Sequence, residues 1–322
     1  MKPAASPYRA PAWLPGGHAQ TLWPLLIKPR PLPLRRERWE TPDGDFIDVD
    51  HLDGAATAPL LVLFHGLEGS ARSHYAISTA RACRQLGWRL ALPHFRGCSG
   101  ELNRLPRGYH SGDAQEIDWI LRRLHAANGG RRIHAAGISL GGNALLKWAG
   151  EQGARAADCV TGIAAICAPL DLAACGHGLA HGFNRIYTKH FLSTLKRNSA
   201  ARLRRYPGLF DEARMRQAAN LYEFDDVVTA PLHGFAGADD YWQRASAKPW
   251  LKSIAVPTVA VNPKNDPFLP ASHLPCEANV SPMVRLEQPA TGGHLGFVSG
   301  AFPGNLDWLP RRLLHFFNFE IC

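Results

Sequence analysis

Ser139 lies between two glycines in the pentapeptide GISLG (137–141), where an apolar run gives way to a helical pattern. A sharp strand-to-helix turn needs small neighbours because side chains there would collide with the sheet. Such a turn exposes a serine hydroxyl as a nucleophile and directs the amide of Leu140 towards a developing oxyanion. The pattern G-x-S-x-G also occurs by chance, so an ordinary turn serine is the alternative.

A serine nucleophile requires a general base to accept its proton and an acid to orient that base. Asp266 ends the apolar run VPTVAVNPKND (256–266) and is followed by Pro267, which stops the strand. His294 lies in TGGHLGF, after the short run MVRLEQP (283–289). The order serine, acid, histidine along the chain is typical of one class of hydrolases, whose catalytic residues follow the strands of a sheet. We therefore predict that Ser139, Asp266 and His294 form a catalytic triad.

Other acids and histidines could fill these two roles. They lie on predicted helices or loops without a strand end in front of them, so they remain minor alternatives. The candidates are Asp239 and Asp240 for the acid, and His273 and His315 for the base.

The segment LFHGLEGS (63–70) follows an early apolar run and can supply a second oxyanion donor, the amide of Leu67. His65 in this loop is expected to make structural hydrogen bonds. The segment lacks the Gly-Lys-Ser/Thr ending of a phosphate loop, and GHGLAHG (176–182) is not a dinucleotide fingerprint. The histidines show no zinc-enzyme spacing, so we predict neither a cofactor nor a metal.

The elements that must position these residues alternate between short apolar runs and longer amphipathic segments from about residue 45. Strands separated by helices predict a mostly parallel sheet with helices on both faces, and DFIDVDHL (45–52) has the alternation of an antiparallel strand. This alternation of strand and helix patterns stops between about 170 and 235, where we expect a helical cap inserted over the sheet. Its apolar side chains would shape an acyl pocket: Phe183, Ile186, Tyr187, Phe191 and Leu192.

Bulk properties narrow the possible functions. The chain has 322 residues and a formal charge of +9, but its basic residues are scattered and accompany no nucleic-acid-binding motif. Seven cysteines without C-x-x-C spacing are typical of a reducing compartment. No apolar run is long enough to span a membrane, and the N-terminus is a poor signal peptide. These features predict a cytoplasmic protein that binds no nucleic acid.

Several segments together resemble the YheT-like branch, also called AB hydrolase-4, of the α/β-hydrolase superfamily. They are PGGHAQTLWP (15–24), HGLEGS, HFRGCSGELN (94–103), YHSGD (109–113), GISLGGN, DDVVTAPLHGFAGADDYW (225–242), NPKNDPF and GGHLGF. The resemblance implies an α/β-hydrolase fold, the Ser139, Asp266 and His294 triad, and hydrolysis of carboxylic esters or acyl transfer to an alcohol. It implies no cofactor.

The predicted domain division is an N-terminal arm (1–44) packed on a hydrolase domain (45–322) that carries the cap. Pro24 interrupts the apolar part of the arm, so we expect at most weak contact with a membrane surface. Arg96 in HFRGCSG either braces its loop or binds an anionic substrate group. The expected substrate is a small ester or lipid, with lipid or phospholipid hydrolysis as an alternative. A non-catalytic scaffold of the same fold is the rival from another class.

Overall fold

The protein is described by a computed structural model that covers residues 7–321. An eight-stranded sheet has the order β1-β2-β4-β3-β5-β6-β7-β8. The first two pairings are antiparallel and the others are parallel. The strands are β1 (Arg35–Glu40), β2 (Phe46–Leu52), β3 (Leu60–Phe64), β4 (Arg89–Pro93), β5 (Ile133–Ile138), β6 (Val160–Ile166), β7 (Thr258–Val261) and β8 (Val284–Glu287).

Helices cover both faces of this sheet and form the insertion between β6 and β7. They are α1 (Gly17–Leu22), α2 (His74–Gln85), α3 (Ala114–Ala127), α4 (Leu140–Gln152), α5 (Leu172–Leu179), α6 (Arg185–Arg205), α7 (Glu212–Gln217), α8 (Leu221–Phe224), α9 (Ala230–Leu232), α10 (Ala238–Ala245) and α11 (Trp308–Phe319). A π-helical turn, Asp225–Thr229, joins α8 to α9. The predicted α/β-hydrolase fold class is confirmed.

Alternate residues of the central strands enter two separate cores. In β3, Val62 and Phe64 pack with α3 and α4, whereas Leu61 and Leu63 pack with α2 and α11. Successive side chains of a strand point to opposite faces, so a strand covered on both sides must be apolar throughout. All five residues of β3 are buried. This double cover holds the carboxyl ends of the parallel strands in fixed positions.

The edge strand β1 lies inside the predicted N-terminal arm, and the sequence analysis missed it. Its sequence, RRERWE, lacks the apolar alternation of a half-buried strand, and five of its six residues are exposed. Cross-strand ion pairs with β2 hold it instead, with Arg36 Nε 2.7 Å from Asp50 Oδ1 and Arg38 Nε 2.7 Å from Asp48 Oδ1. The first six residues of the arm lie outside the described part of the chain.

The insertion between β6 and β7 contains α5 to α10 and buries apolar clusters of its own. One cluster joins α6, α7 and α8, and includes Leu203, Met215 and Phe224. A second joins α5 to α10 through Leu172 and Trp242. The last of these helices, α10, therefore packs with the insertion and not with the sheet. A 3-10 helix, Lys248–Ser253, follows it.

Six cysteines carry free thiols in the described residues: Cys83, Cys98, Cys159, Cys167, Cys175 and Cys276. Cys322 lies outside them. None of the helices found between residues 7 and 321 is long and apolar enough to cross a membrane.

Candidate active site

Ser139 occupies the turn between β5 and α4 in a strained conformation, with φ of 51° and ψ of −119°. Glycine is required at both flanking positions because there is no room for a Cβ atom. A Cβ on Gly137 would lie 2.4 Å from the carbonyl oxygen of Gly141, and a Cβ on Gly141 would lie 2.5 Å from that of His65. Backbone in this region costs about 1–3 kcal/mol and persists only where the surroundings enforce it. The tight packing of strand, turn and helix enforces it here.

The turn brings Ser139 to the loop that carries His294. Ser139 Oγ lies 3.0 Å from His294 Nε2, and His294 Nδ1 lies 2.8 Å from Asp266 Oδ2. Both distances are within hydrogen-bonding range. His294 and Asp266 are both buried, with side-chain exposed fractions of 8% and 2%. The structure thus brings together the three predicted triad residues, in an arrangement that can pass a proton from serine to histidine.

Asp266 is oriented by the residues that follow it. Its Oδ1 accepts a hydrogen bond from the Phe268 amide at 2.8 Å, which leaves Oδ2 for the imidazole. The Phe268 ring stacks on His294 with centroids 4.0 Å apart and an interplanar angle of 23°. A buried aromatic face against the imidazole restricts its rotation. The carboxylate and the ring together fix the plane of the base.

The alternative acids and bases lie elsewhere and have other partners. Asp239 Oδ2 accepts a hydrogen bond from Tyr222 at 2.9 Å, and Asp240 pairs with Arg244 at 3.0 Å. The same holds for the histidines, because His273 faces Asp171 at 3.3 Å and His315 faces Glu320 at 3.1 Å. None of the four lines the cavity that contains Ser139.

The segment PGGHAQTLWP forms α1 and supports the histidine loop, a role that the sequence analysis did not assign. The buried Gln20 side chain accepts hydrogen bonds through Oε1 from the Gly292 amide at 2.8 Å and from Asn265 Nδ2 at 3.0 Å. Thr21 Oγ1 accepts one from the His294 amide at 2.9 Å. The loops of Asp266 and His294 are therefore tied to one another through α1.

Leu67 and Leu140, the predicted oxyanion donors, line the same cavity as Ser139. Leu140 is the first residue of α4, and the first amides of a helix have no partner within the helix. The loop of Leu67 is held through the next residue, since Tyr109 Oη accepts a hydrogen bond from the Glu68 amide at 2.9 Å. Tyr109 also donates to the Glu68 carboxylate at 2.8 Å. Glu68 has a positive φ of 52°, so this clamp holds a strained residue.

His65 makes structural hydrogen bonds below this loop. Its ring is completely buried, its Nε2 accepts from the Phe95 amide at 3.0 Å, and its Nδ1 lies 2.7 Å from the Gly66 carbonyl oxygen. Only the neutral ring with the proton on Nδ1 satisfies both contacts. Burial, helped by the charge of nearby His94, lowers the pKa of His65 to about 3.

This histidine predicts acid sensitivity. The folded pKa lies below the unfolded value of about 6.5, so the unfolded chain binds a proton that the folded chain excludes. The contribution of His65 to stability is fully present above pH 6.5 and is lost as the pH falls towards 3. Between pH 6 and 4, the free energy of unfolding should fall by about 1.4 kcal/mol per pH unit more in the wild type than in His65→Gln. Urea unfolding at several pH values measures both slopes.

The control for this experiment is His273→Gln, because His273 is exposed and lies away from the loop. It should keep the wild-type slope. If the free energy of unfolding depended on pH equally in the wild type and in His65→Gln, His65 would not be the source of the acid sensitivity. A constant loss of stability in the variant does not affect the comparison, because the slopes are compared.

A cavity of about 610 Å³ opens above Ser139, between the sheet and the insertion helices. This volume is within the usual range for small-molecule sites. Much of the lining is apolar, including Leu179, Phe191, Leu195 and Phe224. Of the five side chains expected to shape an acyl pocket, only Phe191 lines it. Phe183 and Ile186 are exposed, Tyr187 packs on Phe268, and Leu192 enters the core of the insertion.

Arg96 is held by acids on three sides. Its Nε lies 2.6 Å from Glu116 Oε2, and one terminal nitrogen lies 2.9 Å from Asp43 and 3.1 Å from Asp45. The guanidinium is buried. Of the two roles considered for Arg96, these contacts favour bracing of the loop over binding of an anionic substrate group.

Cys167, Asp266 and His294 place a thiol, a carboxylate and an imidazole nitrogen within 4.8 Å of one another. A metal there would need a thiolate and would compete for the Asp266–His294 hydrogen bond. Burial raises the pKa of Cys167 well above its usual range, so the thiol form is favoured. The Leu295 amide donates to its sulfur at 3.3 Å, which indicates a structural role. These residues fit a triad better than a metal site.

Comparisons with known proteins agree with this geometry. A sequence profile described as the alpha/beta hydrolase fold matches residues 59–301. The chain belongs to the alpha/beta hydrolase family. Among these hydrolases, the Escherichia coli protein named "Putative esterase YheT" is 39% identical over 92% of this chain and 88% of its own length. The predicted resemblance to the YheT-like branch is confirmed.

More distant hydrolases of the family carry lipid-related names. The mouse protein named Phospholipase ABHD3 is 28% identical over 96% of this chain and 77% of its own length. Among solved structures, the Pyrococcus furiosus esterase Pf2001 has a TM-score of 0.55 and 14% identity, and covers 88% of this chain and 92% of its own. At this identity the structural likeness supports the fold alone.

Proposed function

We propose that the protein is a serine hydrolase that cleaves carboxylic esters through an acyl-enzyme. The observation that carries this proposal is the continuous hydrogen-bonded series from Ser139 through His294 to Asp266, buried at the base of a cavity. A hydroxyl in this arrangement is activated by a neutral imidazole whose tautomer the carboxylate selects. The names of relatives as esterases and lipases agree with this chemistry.

In the proposed reaction, Ser139 Oγ attacks the ester carbonyl while His294 Nε2 takes its proton. The amides of Leu67 and Leu140 stabilise the oxyanion, and the imidazolium then gives its proton to the leaving alcohol. Water attacks the acyl-enzyme with the same base and releases the acid. Asp266 stabilises the positive charge on His294 in both halves of the reaction.

The apolar lining supports short-to-medium acyl chains as substrates. Acyl transfer to an alcohol would use the same residues with an alcohol in place of water. Lipid or phospholipid hydrolysis is the second candidate, because relatives from mouse and yeast are named a phospholipase and a monoacylglycerol lipase. A non-catalytic scaffold would not need a buried base within 3.0 Å of a strained serine.

Labelling with a fluorophosphonate probe tests the activated serine. We expect one label per folded chain, on the peptide that contains Ser139, because the probe reacts with a serine whose proton can be removed. Heat-denatured protein should not react, since it lacks the triad geometry. Hydrolysis of p-nitrophenyl esters from acetate to palmitate would then define the acyl length. Folded protein that neither reacts nor hydrolyses any of these esters would support the scaffold function instead.

A further inference from the structure

The active-site cavity contains a buried cation that the proposed triad does not use. Arg202 lies near the end of α6 and lines the cavity that holds Ser139 and His294. Its exposed fraction is only 8%, and its Nε is buried without a hydrogen-bond partner. Within residues 7–321, its side chain has no ion pair. A buried charge without a counter-charge is costly, so proteins usually pair it.

Within the described residues, no carboxylate lies within ion-pair distance of the Arg202 guanidinium, which is closely surrounded by other groups. The guanidinium lies against Gly108, where a Cβ would be in ordinary van der Waals contact with a terminal nitrogen at 3.4 Å and with Cζ at 3.7 Å. Burial lowers the pKa of Arg202, yet a guanidinium titrates so high that it keeps its charge at neutral pH. The Arg202 side chain therefore contributes a largely dehydrated positive charge to the cavity.

Acids along the cavity have other partners. Glu68 interacts with Arg202 only at longer range, and its carboxylate accepts hydrogen bonds from Tyr109 at 2.8 Å and Asn198 at 2.9 Å. Asp225 accepts from Trp242 Nε1 at 2.8 Å, and Glu101 pairs with Arg38 at 3.0 Å.

The same helix adds further positive charge. Two exposed arginines of α6, Arg197 and Arg204, line the cavity beside Arg202. Clustered positive side chains raise the local concentration of oppositely charged ligands. The helix that covers Ser139 therefore favours an anion in the cavity.

We propose that Arg202 forms an anion subsite, and that the natural substrate is an ester that also carries a phosphate or a carboxylate. The planar guanidinium can bind either group through two parallel hydrogen bonds. This inference rests on the proposed ester hydrolysis and extends it to a substrate class. The anion occupies the insertion side of the cavity, and the ester carbonyl lies at Ser139.

Three esters with the same acyl chain test the subsite: 1-octanoylglycerol, 1-octanoylglycerol 3-phosphate and 3-octanoylglycerate. For the wild type, we expect kcat/KM for at least one anionic ester to exceed that for the neutral ester by about 10- to 100-fold, the range of a hydrogen bond to a buried charge. In Arg202→Met this ratio should fall towards one. Arg202→Lys should be intermediate, because lysine keeps the charge but not the fork.

The matched control is Arg185→Met, which removes an exposed arginine from the same helix and should keep the wild-type ratio. The preferred ester, phosphate or carboxylate, identifies the anion. A wild type without any preference, or an Arg202→Met variant with an unchanged ratio, would overturn the subsite.

A binding experiment separates this proposal from the catalytic one. Octyl phosphate cannot be hydrolysed at an acyl carbon, so calorimetry with this ligand reports the subsite without turnover. Arg202→Met should weaken its binding by about 10- to 100-fold, and 1-octanol should bind the wild type more weakly than octyl phosphate does. Equal binding of the two ligands by the wild type contradicts the anion subsite even if Ser139 hydrolyses esters. Tight binding of octyl phosphate without any ester hydrolysis would contradict the catalytic proposal alone.

Discussion

Ser139→Ala is expected to lower kcat for p-nitrophenyl butyrate by about 10⁵- to 10⁶-fold, as in serine hydrolases that lose their nucleophile. The alanine removes Oγ and with it the acyl-enzyme, so His294 has no hydroxyl to deprotonate. The change is small and adds no bulk to the turn between Gly137 and Gly141. Residual hydrolysis above the rate in buffer would come from the oxyanion amides alone. Steady-state kinetics with a purified variant, checked for contaminating esterases, measures the effect.

A matched control for this variant is Ser193→Ala, an exposed serine of α6 whose hydroxyl bonds only its own helix, at the His190 carbonyl. It should hydrolyse the ester within about two-fold of the wild-type rate. Far-ultraviolet circular dichroism and thermal unfolding should show that both variants are folded. Ser139→Ala with wild-type kcat would exclude Ser139 as the nucleophile and assign any activity to another group.

Local signals in the sequence are sufficient to predict the centre of this fold. β3 is a continuous apolar run and β5 is apolar except for His134, and such runs followed by helical patterns predict a parallel sheet. The glycines around Ser139 identify the turn because steric exclusion at a crowded junction depends on residue type alone. Ser139 directly follows β5 as predicted, whereas β7 ends at Val261, so Asp266 lies in the loop after the strand and not at the strand end that the sequence predicts.

Features that depend on distant partners could not be predicted in this way. The strand β1 is charged and exposed, and it pairs with β2, where Asp48 and Asp50 form ion pairs with its arginines. The role of Gln20 requires the loops of Asp266 and His294, which lie more than two hundred residues away in sequence. No local pattern encodes such contacts.

The special environment of Arg202 could not be predicted from the sequence either. In sequence it is one of several arginines in a polar helix, NSAARLRR, and nothing distinguishes it from Arg204 or Arg205. Arg96 was the arginine that the sequence suggested for an anion, because it follows a strand, but acids already surround it. Burial and the absence of a direct ion pair within the described residues are properties of the folded chain, and the second of them distinguishes Arg202 from Arg96.

Asp266→Asn is expected to lower kcat by about 10⁴-fold while leaving the fold intact. The carboxylate accepts a hydrogen bond from His294 Nδ1 at 2.8 Å, which leaves Nε2 unprotonated to receive the Ser139 proton. An asparagine can present its amide N–H to Nδ1 and so favour the tautomer with the proton on Nε2, which cannot act as a base. The variant also loses the negative charge that stabilises imidazolium in the transition state.

The kinetic pattern separates this role from a structural one. Because Asp266 acts on the transition state, kcat should fall with little change in KM for p-nitrophenyl butyrate, and fluorophosphonate labelling of Ser139 should slow in parallel. Asp240→Asn is the matched control, since Asp240 pairs with Arg244 on α10 away from the cavity and should keep activity within about two-fold. A large loss of kcat in Asp240→Asn with little loss in Asp266→Asn would show that Asp266 is not the acid that orients His294. The same substitution at two aspartates thus tests whether the acid belongs in the loop after β7, where its carboxylate reaches the imidazole.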